Sequence, residues 1–167
     1  MKKIIAPAVV IFVCAGIAFA ADPVEGFWLS VDHKTGEIQS GWEMYQSNGY
    51  LYGKMLSAIR CSPTDKAVKC NESYDGFPIA GKVNQLPILG TPWIFDLRME
   101  SPGHWTNGYI VNPDDGDIYR LSLIHHDADG GKFRQETLEI HGQLLHLSLG
   151  ESQYWRRATR EEASALH

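Results

Sequence analysis

The side chains best placed to hold a metal or move a proton are His125, His126, Asp127 and Asp129, within five consecutive residues that run into Gly130-Gly131. Imidazole nitrogens and carboxylate oxygens suit zinc, and Asp-x-Asp-Gly resembles the opening half of a calcium loop. The spacing then fails. Gly131 stands where a third oxygen ligand is required, and Glu136 comes too early for the closing carboxylate. A solvated hairpin turn accounts for all four residues, so no metal site is expected.

Catalytic chemistry finds less still. His33, His104, His141 and His146 are scattered, and Glu136 and Glu139 fall on opposite faces of an extended segment. Asp114, Asp115 and Asp117 belong to a turn. No G-x-S-x-G elbow, H-E-x-x-H pair or P-loop occurs. The expectation is a protein that is not an enzyme, with no catalytic residue and no cofactor.

Cys61 and Cys70 lack the C-x-x-C spacing of a zinc or redox site. Their chemistry depends on the compartment, which the N-terminus sets. Lys2 and Lys3 precede an apolar run over 4–19 that ends in Ala18-Phe19-Ala20. That is the pattern of a cleaved secretory signal over residues 1–21, and Val13 before Cys14 does not suit a lipid anchor. The mature chain is therefore expected in the periplasm or medium. There a Cys61–Cys70 disulfide is expected, closing a short loop worth about 2.7 kcal/mol.

The whole chain has 167 residues, 44% of them hydrophobic, and a formal charge of −5. Loss of Lys2 and Lys3 with the signal makes that −7, and loss of Cys14 turns an odd cysteine count into a pair. A negative surface argues against nucleic acid and anionic membranes as partners. No second apolar run is long enough to span a bilayer, so the mature chain has no expected membrane span.

The elements that would position these residues are short strands. Residues 26–31 read as a first strand. In 38–45, Ile38, Ser40, Trp42 and Met44 share one face. Asn48-Gly49 is a strong hairpin signal, with 50–59 returning. Residues 60–92 are irregular, and 93–99 reads as a strand or a short helical turn. Residues 105–111 and 118–125 flank a turn rich in Asn, Pro, Asp and Gly. Further strands are expected over 133–141, 144–149 and 153–157. Thr159 and Glu162 have capping-box spacing for a short tail helix that would fray. Sequential hairpins of this kind favour an all-β, up-and-down antiparallel barrel of about eight strands. A single barrel domain is expected over 22–157, with a C-terminal tail over 158–167.

Several stretches, in order, resemble an exported bacterial family, domain of unknown function 2147. They are Asp22-Pro23-Val24-Glu25-Gly26-Phe27-Trp28, Tyr50-Leu51-Tyr52-Gly53-Lys54, Trp105-Thr106-Asn107-Gly108-Tyr109-Ile110, Asn112-Pro113-Asp114-Asp115-Gly116, and the closing Trp155-Arg156-Arg157. The chain departs from the family at His141-Gly142, where Arg-Gly is frequent. The resemblance implies a small lipocalin-like or calycin-like barrel and no established reaction. It also implies a closing device, with Trp28 plugging the base and Arg157 covering its ring.

The inward face is expected to carry Trp42, Met44, Tyr119, Leu121, Leu123, Leu145 and Leu147. These residues would either fill the barrel or line a cavity for a small lipophilic or amphipathic ligand. The first outcome leaves the outer surface, with the 60–92 segment, to dock on another envelope protein.

Overall fold

Asn48 and Gly49 both adopt left-handed backbone, with φ of 51° and 82°. That is the turn that joins two strands without splaying their twist. In a computed structural model, which describes residues 21–32, 34–144 and 150–166, this hairpin is part of an eight-stranded meander. The strands are β1 (Gly26–Val31), β2 (Ile38–Ser47), β3 (Tyr50–Ala58), β4 (Ile94–Ser101), β5 (His104–Val111), β6 (Ile118–His126), β7 (Thr137–Leu144) and β8 (Gly150–Ala158). Each pairs with its neighbour in sequence, and β8 returns antiparallel to β1, so the sheet closes as an up-and-down barrel. Closure removes the free edges that an open sheet would present.

The register sets two distinct ends. One collects the starts of β1, β3, β5 and β7. The other collects the β1–β2 turn, the long 59–93 connection, the 112–117 turn and the approach of β7 to β8. Trp28, Trp42, Met44, Leu51, Leu97, Trp105, Leu121, Leu123, Leu138 and Trp155 are buried in one hydrophobic cluster.

The 59–93 connection carries no strand, yet it is ordered by its own bonds. Lys66 bridges Pro87, Ala67 N–H donates to the Leu86 carbonyl at 3.0 Å, and the Tyr74 hydroxyl reaches the Gly116 carbonyl at 2.7 Å. Ala67, Cys70, Tyr74 and Val83 join the barrel core. This geometry corrects the disulfide expectation: Cys61 and Cys70 are free thiols. Residues 65–67 pair with 86–88 instead of folding back on themselves. The Cys61 sulfur therefore lies beside the Ser62 carbonyl at 3.8 Å, while Cys70 is buried beside the Asn112 carbonyl at 4.0 Å.

Other expectations also shift. The 93–99 segment is a strand and not a helical turn, β4 starting at Ile94 and running on to Ser101. The segment read as a strand from 133 enters the ladder only at Thr137, since Asp129 closes the preceding turn through the N–H groups of Gly131 and Phe133. The signal segment and most of the 144–149 stretch lie outside the described residues.

The tail forms a helix docked on the barrel. Thr159 and Glu162 form a complete capping box for α1 (Arg160–Ser164). Ala163 is fully buried, and its carbonyl accepts the Ser57 hydroxyl at 2.7 Å. Ser40 and Trp42 share the interior face of β2, so Gly41 points outward, under the helix. A Cβ there would lie 1.9 Å from the Ala163 oxygen. Leu29, on the outward parity of β1, is buried all the same, because α1 packs over β1, β2 and β3.

Gly41→Ala is expected to cost about 1–3 kcal/mol in urea unfolding. It should cost nothing further in a chain ending at Ala158, which lacks the helix. Equal losses in both chains would place the effect elsewhere. Alkylation of the native protein is expected to modify Cys61 first and Cys70 only on unfolding. An intact mass two hydrogens below the dithiol would show a bridge instead.

Candidate functional site

At the first end of the barrel the polar groups are spent on one another. Trp28 is fully buried and donates its indole N–H to the Val24 carbonyl at 2.8 Å. The Arg157 guanidinium lies 4.1 Å from the centre of the Trp28 ring. It also donates to the carbonyls of Glu25 and Pro23, at 2.7 and 2.6 Å, and to Glu136 Oε1 at 2.6 and 3.0 Å. Gly26 permits this: at φ 116° it has no Cβ, and one would sit 2.8 Å from the guanidinium. The buried Asp22 carboxylate accepts from the N–H groups of Val24 and Gly103 and from the Trp105 indole, tying the chain start to the β4–β5 turn.

The sequence signals Trp28 and Arg157 at this end but not Glu136, His125 or Asp22. His125 and Glu136 meet between β6 and the entry to β7, Asp22 meets the β4–β5 turn, and no local spacing encodes either.

His125, His126, Asp127 and Asp129 are adjacent in sequence and part company in the fold. His125 turns toward Trp28, edge-on at 6.1 Å, with Nε2 at 2.8 Å from Glu136 Oε1. His126 faces outward, stacks on Phe133 at 4.0 Å and meets Glu139 at 2.8 Å. Asp127 is exposed, and Asp129 is occupied by its turn. Glu136 and Glu139 each take a histidine partner on opposite faces of the sheet.

The other end is different. Ser30 and Ser40 are an opposed pair on β1 and β2, both buried, with hydroxyl oxygens 2.7 Å apart. The Trp42 indole N–H donates to Ser40 Oγ at 2.7 Å. Below them the Trp42 and Trp155 rings pack at 5.1 Å, and the Trp155 N–H reaches Gln153 Oε1 at 3.2 Å. Gln153 pairs with Ile140, a core residue, yet it is exposed, so solvent reaches the inner wall of β8. Gly142, opposite the buried Leu121, has open space where its Cβ would be, among the described residues.

Above this wall lies a cavity of about 260 Å³, bordered by Ser40, Met55, Ala58, Arg60, Asp65 and Asp114 among others. None of the five described residues of the expected ligand set borders this cavity. Trp42, which pairs with Trp28, and Met44, Leu121 and Leu123 are buried in the core, and Tyr119 is half-buried. Leu145 and Leu147 lie outside the described residues. Ser40, Met55 and Ala58 border the cavity instead. Ser40 shared a face with Trp42 in the sequence, and that was the available signal.

A meander closed at one end by tryptophan under arginine and holding a cavity at the other defines a lipocalin-like calyx barrel. Residues 26–157 match the model of a family described as "Uncharacterized protein conserved in bacteria (DUF2147)", and the chain belongs to that family. A solved structure described as "Protein HP1028 from the human pathogen Helicobacter pylori belongs to the lipocalin family" is similar, with a TM-score of 0.61 and 18% identity. The match covers 83% of this chain and 84% of that one. At that identity the likeness is one of fold.

The closed end should set the acid limit of stability. Hydrogen bonding from Arg157, and then from His125, holds the Glu136 carboxyl below its ordinary value of 4.5 against the opposing effect of burial. A lowered pKa stabilises the fold above the ordinary value, and that contribution is lost as the pH falls through the folded-state value. Glu136→Gln is therefore expected to lower the melting temperature at neutral pH and to flatten its decline on acidification. An unchanged acid decline in thermal scans would contradict this.

Proposed function

We propose that the chain is exported and acts as a binding protein, with no catalytic step, holding one small amphipathic molecule in the calyx. The observation that carries this reading is the cavity of about 260 Å³ over an inner wall both polar and apolar, with Ser40 beside Met55 and Ala58. That volume is near the lower end for small-molecule sites, so the occupant is small. The charged start, apolar run and Ala18-Phe19-Ala20 support export. The absence of a hydrolase, zinc or nucleotide motif from the sequence agrees with binding without turnover.

Docking of the 59–93 connection on another envelope protein is the weaker reading. Its exposed aliphatics among the described residues are Ile59 and Val68. Two separated side chains do not make a contiguous patch.

The test is titration of the mature chain with the neutral fluorophore N-phenyl-1-naphthylamine, alongside native mass spectrometry of protein recovered from its host. One site per chain is expected. Ala58 opposes Ser40 and borders the cavity, so Ala58→Trp places an indole in it. That variant should bind at least about tenfold more weakly, a difference of about 1.4 kcal/mol, with its melting temperature held. No binding by the parent chain, or equal binding by the variant, would overturn the calyx reading.

A further inference from the structure

The Ser30–Ser40 pair has an odd proton. Two hydroxyls bring two O–H donors, and the 2.7 Å contact between them uses one. The Trp42 indole adds a donor to the pair, not an acceptor. Whichever serine donates to the other, one O–H remains without a partner among the described residues. When Ser30 donates, that free O–H belongs to Ser40, which borders the cavity. A buried donor left unsatisfied is costly, and a ligand acceptor placed there would relieve it.

The charges around the cavity act on the same ligand. Among the described residues Asp65 and Asp114 border it with a single cation, Arg60, and all three are exposed. Among the described residues no ion pair within 4 Å joins Arg60 to either carboxylate, so neither is neutralised by direct contact. Two groups in the neighbourhood register this negative field. The Cys61 thiol is pushed up by burial and then by Asp65 and Asp114. The Tyr119 phenol is pushed up by burial and then by Asp115 and Asp117. An anionic head would meet two carboxylates for one guanidinium, all three solvated. A cationic head would find favourable charge but could not accept the free serine proton.

Resting on the calyx reading, we infer that the occupant is a neutral molecule led by an oxygen acceptor, such as a ketone, ester or amide, with a short apolar body against Met55, Ala58 and Ile88. It is not a fatty-acid anion. Met55 and Ala58 are the inward residues at the end of β3, and Ile88 faces them from the long connection. The acceptor points at Ser40, between the strands, and the apolar body fills the space outward from it. This arrangement separates the two ends of the ligand by chemistry and not by size.

The experiment is a calorimetric titration of the mature chain with three probes of one length: octan-2-one, octanoate and octylamine. Octan-2-one should bind tightest, with octanoate about tenfold weaker or worse. Raised salt should narrow the gap between ketone and octanoate, because the carboxylate repulsion is screened. Ser40→Ala should weaken octan-2-one about three- to tenfold and leave octylamine unchanged. Asp65→Asn combined with Asp114→Asn should tighten octanoate without moving octan-2-one, a readout that a folding defect would not produce. Octanoate or octylamine binding as tightly as the ketone would overturn this inference and leave the calyx reading standing. Failure of all three probes to bind would overturn the calyx reading, and this inference with it.

Discussion

The contact on which the barrel depends is Arg157 over Trp28. These residues face one another in the β1–β8 ladder, where the first and last strands of the meander meet. Every other strand pair is held by a connection of the chain as well as by its ladder. This one has only its ladder and the side chains across it. The guanidinium covers the indole, takes two carbonyls from the chain before β1, and fixes Glu136 from the entry to β7. One cation thus satisfies acceptors from two distant parts of the chain while an aromatic face stabilises its charge.

Because that end is saturated, the asymmetry of the molecule falls on the other. Asp22, Glu25, Glu136 and His125 are all engaged near Trp28, while the far wall keeps a serine pair with a spare proton and an exposed Gln153. The long 59–93 connection sits over this end and contributes core residues of its own, including Ala67 and Tyr74. It is therefore part of the barrel's hydrophobic accounting as well as a border of the cavity, which contains Asp65 and Ile88 in its wall. A calyx of this kind owes its shape as much to a segment without strands as to the sheet.

Much of the scaffold was legible from local signals. Asn48-Gly49 carries its turn in two residue types, and the period-two faces of 38–45 and 118–125 became inward walls because alternation is inherent to extended backbone. Local signals misled where distant groups decided the outcome. Residues 133–136 were read into the strand that Leu138 and Ile140 mark, but Asp129 accepts the Phe133 N–H and Arg157 engages Glu136. The tail helix has a legible cap and an illegible dock, since its seat depends on Gly41 and Ser57, more than a hundred residues earlier.

By itself the sequence determined the hairpins and most of the strands, since these follow from residue type and short-range periodicity, while the pairing of Trp28 with Arg157 was implied by the family resemblance. Only the tertiary structure decided how the histidine–aspartate cluster is divided, that Cys61 and Cys70 are free thiols, and where the cavity lies. Those outcomes depend on which side chains meet across the closed sheet. Closing a barrel brings together residues from its first and last strands, a proximity that no local spacing records.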